Sequence, residues 1–229
     1  MLTKRIINKI KRTYKGIIFN IEGFYIQLFH KKGVVTDIEN RIYKTIVISK
    51  REWMAENLCV SKFRNADPIR FIDNDDDWLL AGKQGIPAWS YYKDDPDSEL
   101  KFGKLYNWHA VNDPRGLAPD GWKIPSDKDW IAMVSFLGGE VKAGKKLKSR
   151  RGWKNEGKGS DKSGFNALPG GYRDPAGWFG NGGFGRWWSS TEASDENAWR
   201  FRLGFDNGTI NRFAGPKGYG FSIRCVRSE

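Results

Sequence analysis

Hydrophobic positions along this chain repeat with two different periods. Over the first 33 residues, Ile6, Ile7, Ile10, Tyr14, Ile17, Ile18 and Ile21 recur at helical spacing, with lysines and arginines filling the opposite side. This predicts a basic amphipathic helix for a partner or membrane surface, or else an extra helix or strand pair packed on the main domain. From Val35 the period shortens. The stretch VTDIENRIYKTIVI predicts two strands around a turn at Glu39–Asn40, with Val35, Ile42, Ile46 and Ile48 facing inward, and EWMAENLCV predicts another strand. Residues 64–100, rich in Asp, Pro and Gly, read as a long irregular excursion. GKLYNWHAV predicts a short helix with Leu105, Trp108 and Val111 on one face. The clearest helix begins at Ser126, an N-cap with Asp129 three residues on, carries Trp130, Met133, Val134 and Leu137 inward, and stops at Gly138–Gly139. Residues 152–227 read as short strands and glycine-rich loops.

One ribbon within that last region bears on function. From Ala198 to Phe205, strand alternation puts Trp199, Phe201, Leu203 and Phe205 on one face and Ala198, Arg200, Arg202 and Gly204 on the other. Asp206-Asn207-Gly208 is a hairpin turn, because Asn and Gly tolerate positive φ. The returning strand puts Thr209, Asn211 and Phe213 on one side; Ile210 joins the core stripe and Arg212 lies at its edge. The aromatic set therefore reads as core. Arg200, Arg202, Asn211 and Phe213, with Asp206 and Asn207 at the turn, read as an outward surface combining guanidinium, amide and aromatic groups, as adaptable binding surfaces do.

Composition sharpens the picture. The 229 residues hold 11 Trp, 14 Phe and 8 Tyr within a hydrophobic fraction of only 39%, which predicts a core built from rings. The net charge of +12 is unevenly placed, with basic runs at residues 1–33 and Lys142–Lys158 around an acidic middle. Blocks of this kind usually mark solvated faces, so a nucleic-acid partner is not favoured. Segment 16–29 lacks the clean apolar run and cleavage site of a secretory signal, and no stretch is long and apolar enough for a membrane helix. Cys59 and Cys225 are read as separate buried thiols, with a disulfide open only if their strands are neighbours. Asp73–Trp78 has oxygen ligands but neither the spacing nor the glycine of a calcium loop, and reads as solvated. His109 reads as a helix-surface or structural residue, and no zinc spacing or phosphate loop occurs.

Several long motifs occur together and in order: GLAPDGWKIPSDKDW, SGFNALPGGYRD, RWWSSTE and the ending YGFSIRCVR, preceded by FGKLYNWHAVNDPRG. They resemble the Fibrobacter succinogenes major paralogous (FISUMP) domain over about residues 34–227. That resemblance implies an α+β, C-type-lectin-like domain with two short helices, paired terminal strands and long loop excursions, spanning 34–229 after a separable segment 1–33. It implies further that Trp187 or Trp188 anchors the framework and that the C-terminal strands and loops present the ligand surface. In the family the outward positions are often Tyr or Asn, so arginine here would alter target preference.

The Glu-Pro-Asn or Gln-Pro-Asp and Trp-Asn-Asp motifs of calcium-dependent sugar lectins do not occur, nor does the cysteine pair of formylglycine-generating oxidases. The expectation is a non-catalytic module, without cofactor or metal, that binds a protein or glycan and is displayed extracellularly, on a cell surface or on a virion. The alternative is an assembly protein docked onto a larger particle through residues 1–33.

Overall fold

The computed structural model describes residues 17–20, 25–28, 33–92, 98 and 101–229. Strands β1 (Ile17–Asn20) and β2 (Tyr25–Leu28) pair antiparallel, so the helical reading of the N-terminal segment gives way to the strand-pair alternative at Ile17 and Ile18. The rest of that reading, at residues 1–16 and at Ile21, lies outside the described residues.

One five-stranded sheet joins the two ends of the domain. Its order is β3 (Gly33–Thr36), β4 (Ile42–Ile48), β5 (Arg51–Met54), β15 (Val226–Arg227) and β9 (Trp122–Lys123). The expected pairing of terminal strands is realised through β5, which bonds to both β4 and β15. The β3–β4 turn is set by Asp37, whose Oδ1 accepts the amides of Glu39 and Arg41 at 2.9 Å each, while Asn40 takes a φ of 64°. Ile42 is not inward as expected but 65% exposed, and Tyr43 is buried in its place. The Tyr43 hydroxyl donates to Asp37 Oδ2 at 2.6 Å and so closes the turn from beneath.

A second sheet runs β11 (Gly177–Asn181), β10 (Gly170–Asp174), β12 (Phe184–Glu192), β13 (Asn197–Gly204), β14 (Ile210–Pro216). Only the β10–β12 contact within it is parallel. A smaller sheet joins β6 (Arg70–Phe71) and β7 (Ala88–Ser90), in the stretch read as irregular, to β8 (Leu105–Tyr106), where Leu105 pairs with Ser90 as strand instead of opening the expected helix. That stretch also contains helix α1 (Asp75–Gln84), which sequence reading missed. Asn74 caps it by accepting the Asp77 amide, Asp75–Asp77 face its positive end, and Gly85 ends it with φ 70°. The acidic run is thus a helix start, not a loop. Residues 93–97 and 99–100 of the excursion lie outside the described residues.

The expected helices are present as α2 (Trp108–Val111) and α3 (Asp127–Phe136), the latter with a capping box between Ser126 and Asp129. A further helix, α4 (Glu140–Leu147), follows after two glycines with positive φ. Its Gly144 meets the β13–β14 turn so closely that a Cβ would stand 2.7 Å from the Gly208 carbonyl carbon. Among the described residues the domain is therefore a mixture of short helices and curled sheets.

The β12–β13 sheet separates two aromatic cores, and adjacent residues of β12 point into different ones. Trp187 enters a cluster with Trp53, Trp130, Phe165, Phe201 and Leu203, while Trp188 enters another with Leu58, Tyr106, Phe221 and Ile223. Both indoles are satisfied, Trp187 Nε1 by Asn57 Oδ1 at 2.9 Å and Trp188 Nε1 by the Tyr106 carbonyl at 2.8 Å. Cys59 and Cys225 are buried in the Trp188 cluster and are not joined by a disulfide.

Arg224, 1% exposed, ties these parts together. Its Nε donates to Asn57 Oδ1 at 2.6 Å, and its Nη groups donate to the carbonyls of Met54, Phe165 and Asn166. Asn57 Nδ2 in turn donates to the Phe102 carbonyl at 2.7 Å. Asn57→Ala would strand the Trp187 N–H, the Arg224 Nε–H and the Phe102 carbonyl together. At about 1–3 kcal/mol for each buried orphan, we expect a loss of about 3 kcal/mol or more in urea unfolding; a loss under about 1 kcal/mol would refute this account.

Candidate functional site

The ribbon singled out in the sequence has the expected register. Arg200 lies opposite Phe213, and Arg202 opposite Asn211 and Arg186. Its core face holds Phe201, Leu203 and Ile210, with Phe201 stacked on Trp130 at 4.9 Å. Trp199 departs from expectation, being half-buried rather than core. The Arg212 guanidinium covers its ring at 3.2 Å and is itself fixed by a two-pronged ion pair to Asp127 at 2.6 and 3.0 Å. Trp199 is therefore sealed by a cation from β14 and the first turn of α3.

The opposite face is not the plain solvent surface that alternation implied. Ala198, expected outward, is fully buried, as is Trp188 two strand positions from Arg186. The second core covers this end of the sheet: Phe221 packs on Trp188 at 4.3 Å and approaches the Arg200 guanidinium at 5.3 Å. The face thus grades from core at Trp188 and Ala198 to solvent at Asn211 and Phe213, the latter 40% exposed. Arg200 and Arg202 lie on this gradient, half-buried.

A third arginine, Arg186 from the RWWSSTE stretch read as framework, joins them. Its Cζ stands 3.4 Å from the Tyr172 ring centroid. Arg200 lies 5.1 Å from the Phe213 centroid, and Arg202 4.4 Å from that of Phe184. Alternation alone could have found Arg186, since it shares the parity of Trp188 and pairs with Arg202. Gly215 makes room for the arrangement, because a Cβ there would stand 2.8 Å from Arg200 Nε.

No ion pair among the described residues involves any of the three. Arg186 Nε, Arg200 Nε and Nη1, and Arg202 Nε are shielded from solvent without a hydrogen-bond partner. Burial pushes the Arg200 pKa down to about 10, helped by the charges of Arg186 and Arg202. Burial likewise lowers that of Arg186. The other buried arginines are treated differently: Arg224 saturates carbonyls, and Arg173 bonds the Ile72 and Asn74 carbonyls and Asp75.

The turn residues divide. Asp206 is exposed, and its Oδ1 and Arg202 Nη2 flank the same point above Gly204. Asn207 serves the turn itself, its Oδ1 accepting the Thr209 amide at 2.9 Å. Buried Lys148 locks that turn by donating to the Gly204 and Asn207 carbonyls at 2.9 and 2.7 Å. Asn207 thus shapes the turn, and the basic run Lys142–Lys158 loses Lys148 as a surface charge.

A cleft of about 600 Å³ opens beside this face, between α1 and residues 216–219. Trp78, Gly82, His109, Glu196, Lys217 and Tyr219 line it. His109 makes the expected structural contact, its Nε2 lying 3.1 Å from the Gly82 carbonyl, and burial lowers its pKa.

Clustered guanidiniums without carboxylates cost folding free energy, through desolvation and mutual repulsion. Arg200→Met keeps the packing of the stem and removes the charge. We expect it to stabilise the unliganded domain by about 1 kcal/mol in chemical denaturation; a destabilisation of similar size would mean that the guanidinium holds the fold.

A family model, the Fibrobacter succinogenes major domain, matches residues 46–227. No curated protein and no solved structure matches the chain. The matched span runs from inside β4 through β15 and takes in the cleft, the arginine face and both aromatic cores apart from Val35 and Tyr43. The chain belongs to the Fibrobacter succinogenes major domain family.

Proposed function

We propose that this chain is a non-catalytic recognition module whose ligand lies on the open end of the β12–β13–β14 face. The observation that carries the reading is the gathering of Arg186, Arg200 and Arg202 on aromatic rings with no ion pair to any of them among the described residues. Arginines that serve the framework of this domain bond carbonyls or acids, as Arg173, Arg212 and Arg224 do. The three side chains are themselves only half-buried, so the part of each that faces solvent is available to something else. Rigid rings and planar guanidiniums supply contact area at low cost in side-chain freedom.

The fold is proposed to be C-type-lectin-like. One sheet containing strands from both ends and the long insertion between β5 and β8 support this. Display outside the cell or on a virion follows from the same resemblance. A protein or glycan ligand fits both.

The test is a glycan and surface-protein array probed with the labelled full chain. Phe213→Ala and Asn211→Ala lie at the open end and should weaken a bound ligand about tenfold or more, with a cooperative melt retained. Unchanged binding in the double variant would move recognition to the cleft beside α1.

A further inference from the structure

Resting on that recognition role, we propose that the ligand is an anionic glycan, its carboxylate or sulfate held by Arg186, Arg200 and Arg202. Charge complementarity is the first argument. These guanidiniums face one another across β12 and β13, share no acid, and retain N–H groups without acceptors. A planar oxyanion accepts two parallel N–H bonds from a guanidinium fork, and in a site shielded from water such bonds are stronger than neutral ones.

The second argument separates a sugar from a peptide. The cluster lies on the face of a sheet, whose main-chain donors and acceptors are spent within the ladder, not along the free edge of β14. A peptide adding itself as a strand would use that edge and miss the arginines. On the face only side chains are available. Phe213 offers an exposed ring to the C–H side of a pyranose. The Asn211 amide and the Asp206 carboxylate lie at the same open end, where they can accept hydrogen bonds from hydroxyls. The Asp206 charge also acts against heavily sulfated polymers and favours a single carboxylate per sugar, as in a uronic-acid chain.

The full chain is titrated calorimetrically with polygalacturonate, heparin, neutral dextran and poly-glutamate at near-physiological salt. Polygalacturonate is expected to bind. Arg200→Met and the pair Arg186→Met, Arg202→Met should each weaken it about tenfold or more while keeping a cooperative melt. Lys128→Gln with Lys142→Gln, which removes exposed charge on α3 and α4, should leave it within about twofold of the parent chain. Preference for heparin would assign the oxyanion to sulfate rather than carboxylate, within the same proposal. Absence of binding to either anionic glycan, equal binding to poly-glutamate, or equal loss in the lysine variants would overturn it. The recognition role itself fails separately. A neutral ligand lost in Phe213→Ala but kept in Arg200→Met would sink only the anionic assignment, whereas a ligand indifferent to every variant would sink both.

Discussion

The structure depends on one buried cation that forms no ion pair among the described residues. Arg224 occupies the joint where the terminal sheet, the 165–166 loop and the β12 tryptophans meet, and it is neutralised by carbonyl dipoles and by Asn57. Burying a charge on these terms is costly unless each N–H finds an acceptor. The chain therefore accepts a geometric demand: strands far apart in sequence must bring their carbonyls to one point. Asn57 extends the demand by holding Trp187 as well, so the sheet carrying the arginine face is registered against the terminal sheet by shared hydrogen bonds as well as apolar contact.

With that register set, the two cores explain one another. A sheet with aromatic packing on both sides cannot slide by one residue without moving Trp187 and Trp188 into each other's cluster. The resulting rigidity is what allows β13 to carry two half-buried arginines at its open end. Lys148 and Gly144 complete the restraint by fastening the hairpin turn to α4.

Much of this was legible in the residues. Period-two alternation gave the β13–β14 hairpin, Ser126 with Asp129 gave the start of α3, and the motif order gave the family. Misreadings arose where one physical signal masked another. Asp73–Trp78 looked like a solvated acidic loop, although an Asn followed by acids is also a helix start. Lysines and a mid-helix glycine hid α4, because Gly144 is there for close approach to Gly208, which propensity does not report. Trp199 and Ala198 exchanged roles because alternation says which residues share a face, not what covers that face. Arg212 and the 219–222 segment, which supply the covers, come from elsewhere in the chain.

The glycine at position 215 has a consequence of its own. By leaving space over β14 it lets the Arg200 stem lie flat across the neighbouring strand, so the guanidinium is oriented when the protein folds. The rotamer entropy of that side chain is lost during folding, and a ligand arriving later does not lose it again. The backbone is held from both sides. Under the proposed recognition role, exchanging single side chains on this face would change what is recognised while leaving the scaffold alone.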